Sequence, residues 1–249
     1  MTSLFKKILL RVLTIFTFCI GLLIVFMLNP SLSYAHQTIY KNVTIYHQQP
    51  LSPDWQNLID TSLSAIQQTQ LYDKNLKIDL CLNDGSVYPK VIKATLGNDI
   101  FKAFANKTVD LSQSTNQLSH IIAWGKRLKT TQFLTHAFIH NLQFKYHGFW
   151  DANPLGNHPN WKWEGYTEYE TLGQTRTLDN IVSALEGEKD DFDWIELGND
   201  ERTLKMHVRY LAITKYCFDI LKMDYDSFMK DKRTEETLFN EMLSAYEMK

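Results

Sequence analysis

The sequence predicts an α+β domain placed after an apolar N-terminal segment. Strand-like patterns are concentrated between residues 38 and 124, whereas patterns of helical period dominate from residue 131 onward. Strands early in the chain and helices late are typical of an α+β domain. No long stretch rich in Pro, Gly or Ser divides residues 36–249, so we expect a single domain there.

The first 35 residues have the composition of a targeting segment. Three basic residues and no acidic residue occur within them. An apolar run over Val12–Leu28 follows the basic residues, and the stretch ends in a small-x-Ala pattern at Ala35. A basic region, an apolar region and a small-residue ending together indicate an export signal.

Two interpretations of this segment stay open. The apolar run has 17 residues, which is long for a cleaved signal peptide and near the short limit for a membrane-spanning helix. Residues 1–35 are therefore either a signal peptide removed after Ala35 or an anchor that crosses the membrane through residues 8–28. Because the basic flank stays in the cytoplasm in both cases, we expect residues 36–249 to be extracytoplasmic, either secreted or held at the membrane.

Composition and charge exclude several classes of protein. An aromatic content of 13% is too high for intrinsic disorder. Without residues 1–35, 23 basic and 28 acidic residues leave a net charge of −5, so no nucleic-acid partner is expected. Residues 36–249 contain two cysteines, Cys81 and Cys217, which form either a disulfide or two separate buried thiols.

Four strands are predicted before residue 125. Alternation of apolar and polar residues indicates a half-buried strand over Thr38–Tyr46. Leu76–Leu82 has the composition of a second strand, which ends in a turn sequence at Asn83–Gly85. Weaker strand candidates are Ile100–Phe104 and Leu118–Trp124.

Two helices are predicted in the first 150 residues of the chain. Ser52 is expected as an N-cap ahead of Pro53, because proline suits the first helical position. Apolar residues recur at helical spacing behind this start. A longer helix is predicted over Thr131–Tyr146, and Gly148 ends it.

The C-terminal part of the chain is predicted to be mostly helical. Residues 163–172 form one helix, and from Leu178 onward the clearest helical segments are 204–221 and 235–246. Residues 186–201 contain eight acidic residues and one basic residue, but they lack the spacing of a calcium loop. We therefore expect a solvated acidic loop there.

A pair of histidines on the helix over 131–146 is the first candidate for chemistry. His136 and His140 are four residues apart, so both imidazoles leave the same helix face one turn apart. This spacing suits two ligands of one tetrahedral zinc ion. Two hydrogen-bonded histidines on a half-buried helix face would show the same spacing, so the pair alone does not decide between the two interpretations.

A second motif surrounds Glu164, 24 residues after His140, where residues 161–169 read Trp-Lys-Trp-Glu-Gly-Tyr-Thr-Glu-Tyr. Together with Leu134–His140, this motif resembles the gluzincin branch of zinc metallopeptidases. Members of that family carry His-Glu-x-x-His on one helix. A following helix carries a motif often written Trp-x-x-Glu-Gly-x-Ala-Glu-Tyr.

The resemblance implies both a metal site and a fold. His136, His140 and Glu164 would be the three zinc ligands, and Glu168, one turn after Glu164, would hydrogen-bond a ligand imidazole. The implied fold is a zincin-like domain. It has a small N-terminal mixed sheet with a helix, then the helix of the two histidines, the helix of the glutamates and a C-terminal helical part.

The chain departs from the family pattern at one position. The residue after the first histidine should be a glutamate that takes a proton from the zinc-bound water, and it is Ala137. A placed base contributes roughly 10²–10⁴-fold to such a reaction. Alanine has no titratable group, whereas metal binding does not depend on that glutamate. The resemblance thus implies zinc binding with little or no peptidase activity.

Three further residues are candidates for the surroundings of this site. Tyr166 and Tyr169 are candidates for donating to an oxyanion or lining a cleft, and aromatic packing is the alternative. His147 is seven residues after His140 and so lies near the same helix face. The sequence identifies no confident catalytic residue.

Three functions stay open at this point. The first is an exported or membrane-anchored zinc-binding domain that binds a peptide or protein. The second is an active zinc peptidase with a non-standard base, and the third is a partner-binding domain without metal. If the zinc site exists, ring nitrogens of His136 and His140 and a carboxylate oxygen of Glu164 should lie roughly 3–4 Å apart.

Overall fold

The computed structural model describes residues 3–112, 118–186 and 190–247. The α-helices in these ranges are α1 (Ser3–Leu28), α2 (Asp54–Ile66), α3 (Tyr88–Leu96), α4 (Thr130–His147), α5 (Asn160–Leu172), α6 (Leu178–Leu185), α7 (Lys205–Lys215), α8 (Tyr225–Lys230) and α9 (Glu235–Glu247). The β-strands are β1 (His36–Tyr40), β2 (Val43–His47), β3 (Ile78–Cys81), β4 (Phe101–Phe104), β5 (Lys107–Asp110), β6 (His120–Ala123), β7 (Lys126–Lys129), β8 (Trp194–Glu196) and β9 (Arg202–Leu204).

Five of the strands form one mixed sheet in the order β1-β2-β3-β5-β4. Strands β2, β3 and β5 run parallel to one another, and β1 and β4 lie antiparallel at the two edges. Helix α4 packs against β4 and β5, and it also contacts α2 and α5. The predicted α+β class with a small mixed sheet is confirmed.

The segment predicted as one strand over Thr38–Tyr46 is a hairpin of β1 and β2. Lys41 turns the chain with a φ of 54°, and Tyr40 pairs with Val43 directly across the turn. A two-residue turn usually contains glycine, which marks the break in the sequence. This turn is Lys41–Asn42 and contains no glycine. The sequence pattern therefore does not show where β1 ends and β2 begins.

The strand predicted over Leu118–Trp124 is shorter and belongs to a separate ribbon. It is observed as β6, which pairs antiparallel with the unpredicted β7. Trp124 and Gly125 turn the chain between them with φ angles of 47° and 71°. Strand β7 has the sequence Lys-Arg-Leu-Lys. With one apolar residue among three charged ones, it lacks the alternation of apolar and polar residues that predicts a strand.

The acidic stretch over 186–201 is only partly a loop. Residues 187–189 lie outside the described residues, and β8 forms a hairpin with β9. Ile195 is buried, and the Trp194 ring lies 6.1 Å from the Phe133 ring. Apolar packing of Trp194 and Ile195 therefore orders β8, although the acidic composition of this stretch predicted a solvated loop.

The bounds of several helices also differ from the prediction. Helix α2 begins at Asp54 with Pro53 at the cap position, although Ser52 Oγ still accepts a hydrogen bond from the Asp54 N–H at 3.3 Å. The first part of the helix predicted over 204–221 is the α-helix α7. A π-helical turn over Tyr216–Ile220 follows it. Helix α4, which carries the histidine pair, extends one residue beyond the prediction at each end.

Helix α1 projects from the domain, and most of its side chains are exposed. Its span Phe5–Leu28 has 24 residues and a mean hydropathy of 2.6. Within the described part of the chain, it is the one helix long and apolar enough to cross a membrane.

The residues that follow α1 are built into the globular domain. Tyr34 is buried, and its hydroxyl donates to the Leu82 carbonyl at 2.8 Å. The Ser33 carbonyl accepts hydrogen bonds from Gln48 Nε2 at 2.7 Å and from Ser86 Oγ at 3.1 Å. The last residues before the predicted cleavage point therefore contribute to the core.

Cys81 and Cys217 are both free and buried. They also belong to different apolar clusters, with Cys81 beside Tyr88 and Val109 and Cys217 in the main core. Of the two interpretations of these cysteines, the structure shows the separate buried thiols.

A buried amide attaches α4 to the sheet. Asn141 Nδ2 donates to the carbonyl groups of Ala105 and Lys107 at 3.1 and 3.0 Å. Asn141 Oδ1 accepts a hydrogen bond from Thr108 Oγ1 at 2.6 Å. Because Asn141 is fully buried, these three bonds are needed to satisfy it, and they fix the position of α4 over the start of β5.

Helices α5 and α7 approach each other closely at Gly165. A Cβ atom built at this position would overlap Thr214 Oγ1 and lie 3.1 Å from the Tyr210 carbonyl oxygen. The absence of a side chain therefore sets the distance between the two helices at the residue next to Glu164.

We expect Gly165→Ala to lower the free energy of unfolding by about 1–3 kcal/mol, because the methyl group forces α5 and α7 apart. Thr214→Ala removes the nearest obstructing atom, and that buried hydroxyl has no hydrogen-bond partner to lose. The double variant should therefore recover part of the lost stability. Urea unfolding of the four proteins measures this, and strictly additive effects would contradict the close approach.

Candidate metal centre

Helix α4 brings His136 and His140 together on one face. Their Nε2 atoms lie 3.1 Å apart, and the centroids of the two rings are 4.7 Å apart. The side chains are 18% and 13% exposed, so both rings lie at the edge of the core and stay accessible to solvent.

Helix α5 adds Glu164 to the histidine pair. Its Oε2 lies 3.3 Å from His136 Nε2 and 3.4 Å from His140 Nε2. These three atoms, the ligand triangle, lie 3.1–3.4 Å apart, close to the roughly 3.3–3.6 Å expected for ligands of a tetrahedral ion with bonds of about 2.0–2.2 Å. The residues that the sequence places together do converge, and they form a group that can hold a metal ion.

Gln143 sets the orientation of the His140 ring. Its Nε2 donates to the Trp163 carbonyl at 3.0 Å, so its Oε1 is the atom that faces His140 Nδ1 at 2.8 Å. Because an amide oxygen only accepts, Nδ1 of the neutral His140 ring carries the proton. The lone pair of His140 Nε2 is therefore free to point into the ligand triangle.

The ligand triangle brings electron pairs together. His140 presents the lone pair of Nε2, and Glu164 presents a carboxylate oxygen, both within 3.4 Å of His136 Nε2. Such an arrangement is repulsive unless a proton or a cation lies between the atoms. A proton on His136 Nε2 can be donated to either His140 or Glu164, but not to both at once. A cation attracts all three ligand atoms together.

Glu168 lies beside His136 but forms its hydrogen bonds with other residues. Its Oε1 is 3.7 Å from His136 Nδ1, which is too far for a hydrogen bond. The same oxygen accepts hydrogen bonds from His207 Nδ1 and Thr203 Oγ1, each at 2.9 Å. The predicted hydrogen bond to a ligand imidazole is therefore an electrostatic contact, because α7 and β9 hold the carboxylate.

The sequence analysis missed His207 and Gln143. The His207 ring stacks on His136 with a centroid distance of 6.4 Å and planes 4° apart. His207 follows Glu168 by 39 residues, so only the packing of α7 on α5 reveals it. Gln143 had a usable signal, because a polar residue three positions after His140 on a helix lies close to its ring.

The carboxyl groups of the centre are held in their ionised form. Burial raises the pKa of Glu164, but the imidazoles of His140 and His136 outweigh burial and hold that pKa well below its usual range. Burial also raises the pKa of Glu168, and its hydrogen bond with His207 brings that pKa below the usual value. Burial lowers the pKa of His136, but the two carboxylates reverse this, so the pKa is raised.

Ala137 lies within the hydrophobic core and is 0% exposed. It occupies the position after the first histidine, between the two ring-bearing residues in sequence. Apolar neighbours thus enclose the place where the family pattern has its proton-transferring glutamate.

The remaining predicted site residues make their contacts elsewhere. Tyr166 is fully buried among aromatic rings, and Tyr169 donates its hydroxyl to Asp219 Oδ1 at 2.8 Å. These contacts fit aromatic packing, which was the alternative interpretation of both tyrosines. His147 lies at the end of α4, with Nδ1 3.3 Å from Asp151 Oδ2, and does not contact the ligand triangle.

No protein-family model matches this chain, and no curated protein or solved structure matches it either. The positions of the ligand atoms and the spacing of the two motifs are therefore the observations from which a function can be inferred.

We expect the stability of the metal-free protein to fall as the pH rises above neutrality. Burial lowers the pKa of His207, but its bond with Glu168 raises it overall from 6.5 to about 9. The ion pair thus stabilises the fold fully below the unfolded pKa near 6.5, and this stabilisation is lost as the pH rises through about 9. The loss should be on the order of 3 kcal/mol.

Urea unfolding of the chelator-treated protein across this pH range measures the loss. His207→Gln is the matched variant, because it keeps a polar side chain and removes the titrating ring. Its unfolding free energy should show a smaller alkaline decrease, because only His136 then has a raised pKa in the centre, and an equal decrease in both proteins would contradict the ion pair.

Proposed function

We propose that this chain is a membrane-anchored, outward-facing zinc-binding domain of gluzincin type that binds a peptide or protein ligand without cleaving it. The observation that carries the proposal is the ligand triangle of His136, His140 and Glu164, with sides of 3.1–3.4 Å.

Zinc is the ion that best fits this set of ligands. Two imidazole nitrogens and one carboxylate oxygen suit borderline ions such as Zn²⁺ better than Ca²⁺ or Mg²⁺, which prefer oxygen alone. Three protein ligands leave a fourth position of a tetrahedral ion for another group. The partial exposure of all three side chains supports access to that position from solvent.

The absence of a base argues against peptide hydrolysis. Ala137 offers no titratable group, and the two glutamates nearest in sequence to Glu164 each accept a hydrogen bond from another side chain. Glu168 accepts from His207 and Thr203, and Glu170 is buried and accepts from Gln174 Nε2 at 2.9 Å. A metal ion here would bind and polarise a ligand, but Ala137 supplies no base for the proton transfer that cleavage requires.

The open position suits the binding of an anionic or carbonyl oxygen. A zinc ion with two neutral imidazoles and one carboxylate retains a positive charge, which attracts a carboxylate or a peptide carbonyl. We therefore assign the centre to the binding of a peptide or protein that supplies the fourth ligand.

The packing of residues 30–35 favours the anchor over the cleaved signal. Cleavage after Ala35 would remove the buried Tyr34 ring and its hydrogen bond to the Leu82 carbonyl. It would also leave Gln48 Nε2 and Ser86 Oγ without the Ser33 carbonyl that both now use. Loss of a buried aromatic side chain typically costs about 3–5 kcal/mol, so an uncleaved α1 is the stable arrangement.

We expect the full chain in detergent to bind zinc through this centre, and His140→Gln to bind one zinc ion fewer than the wild type. Gln143→Leu should weaken the affinity about 10–100-fold, because the proton on His140 Nδ1 loses its acceptor. Metal analysis and calorimetric titration measure both effects. The control is His36→Gln at an exposed histidine outside the centre, and equal zinc binding by His140→Gln and wild type would contradict the proposal.

We expect the mature protein to retain residues 1–35 and to stay in the membrane fraction after alkaline extraction. Mass spectrometry of the N-terminus of that protein tests the anchor. A mature chain that begins at His36 and is released in soluble form would contradict it. A chain expressed without residues 1–35 should unfold at a lower temperature than the full chain, because Tyr34 is missing from its core.

A further inference from the structure

A second group of metal-ligating side chains lies at the connection between α4 and α5. It consists of His147, Asp151 and His158, which we call the second cluster. One ligand atom from each of the three lies within 4.8 Å of the others. None of these residues belongs to the ligand triangle or contacts it.

The atoms of the second cluster are close to the separations that an ion requires. His147 Nδ1 lies 3.3 Å from Asp151 Oδ2, and His158 Nε2 lies 3.9 Å from Asp151 Oδ1. The first distance already matches the roughly 3.3–3.6 Å between ligands of a tetrahedral ion. The side chain of Asp151 is 66% exposed, so a rotation that closes the second distance would not disturb the core.

The two imidazoles of the second cluster are held in place by their neighbours. His147 Nδ1 donates to Asp151, and the Tyr225 hydroxyl donates to His147 Nε2 at 2.9 Å; because that hydroxyl can also accept, the ring can move its proton to Nε2 when an ion binds at Nδ1. The Trp163 ring lies nearly parallel to His158, with a centroid distance of 5.7 Å and planes 12° apart. Both rings are therefore oriented before any ion binds.

The loop that carries the second cluster is fixed by its own hydrogen bonds. Asn153 Oδ1 accepts from the His158 N–H at 2.7 Å, and Asn153 Nδ2 donates to the His158 carbonyl at 3.1 Å. His158 Nε2 lies 2.7 Å from the Asp151 carbonyl and donates to it. When an ion binds at Nε2, the ring carries its proton on Nδ1 and the carbonyl oxygen is free to become a further ligand.

We propose that His147, Asp151 and His158 form a second binding site for a divalent transition metal ion. The ligand chemistry is imidazole, imidazole and carboxylate, which favours Zn²⁺, Ni²⁺ or Cu²⁺ over Ca²⁺ and Mg²⁺. The second cluster shares no ligand atom with the ligand triangle, so this proposal does not depend on metal binding there.

An ion in the second cluster would brace the connection between the two helices that supply the ligand triangle. His147 ends α4, and residues 148–159 lead directly into α5. The Trp163 ring also stacks on His140, with a centroid distance of 6.1 Å and planes 11° apart. One tryptophan therefore lies against a histidine of each site, and an ion that fixes His158 restrains the ring that supports His140.

Zinc titration of the chelator-treated full chain in detergent tests the proposal. The wild type should bind two zinc ions per chain. His158→Gln and Asp151→Asn should each weaken one binding step by more than about tenfold and leave the other step present. His140→Gln should remove the opposite step, so failure at one site is distinguishable from failure at the other.

Asp151→Asn keeps the assay valid if a histidine variant fails to fold, because the Asp151 side chain is mostly exposed. Thermal unfolding gives a second readout, since an ion that binds the folded protein raises its unfolding temperature. In His140→Gln, zinc should still raise that temperature, and in the His140→Gln, Asp151→Asn double variant it should not. A second zinc step that survives both His158→Gln and Asp151→Asn, or no zinc step in His140→Gln, would overturn the proposal.

Discussion

The hydrogen bond from Gln143 Nε2 to the Trp163 carbonyl is the interaction on which the candidate centre depends. It joins α4, which carries the two histidines, to α5, which carries Glu164. The same amide uses its oxygen to hold the proton of His140 on Nδ1. One buried side chain thus fixes the spacing of the two helices and the direction of a ligand lone pair, which makes the ligand triangle preorganised.

The sheet and α7 extend this constraint outward. Asn141, two residues before Gln143, attaches α4 to the sheet through bonds to Ala105, Lys107 and Thr108. On the other side, Gly165 allows α7 to approach α5, and that approach brings His207 to Glu168. The centre therefore lies between a sheet-bound helix and a closely packed pair of helices, and small shifts of either would separate its ligands.

The sequence was sufficient for the parts of the centre that lie on single helices. His136 and His140 follow from a spacing of four residues, and the motif around Glu164 identified the third atom of the ligand triangle. The sequence was insufficient for contacts between residues that only the tertiary fold brings together. His207 reaches Glu168 only through the packing of α7 on α5, because no periodicity links positions 39 residues apart.

The fold shows the same division between local and long-range information. Helix α4 was predicted to within one residue at each end, because its apolar residues and Gly148 are local signals. The hairpin of β1 and β2 was predicted as one strand, since its turn at Lys41 contains no glycine. The order of the mixed sheet depends on long-range pairing, which alternation within single strands does not specify.

In the proposed function, zinc binding and the lack of hydrolysis are separate claims, because Ala137 has no titratable group whereas the three ligand atoms converge. X-ray absorption at the zinc edge, on zinc-loaded His158→Gln protein, tests the binding claim most directly. We expect a first shell of nitrogen and oxygen atoms at about 2.0–2.2 Å, with outer scattering from two imidazole rings that falls to one ring in His140→Gln. A spectrum without imidazole scattering, or one unchanged by His140→Gln, would contradict the assignment of the ligand triangle as a zinc site.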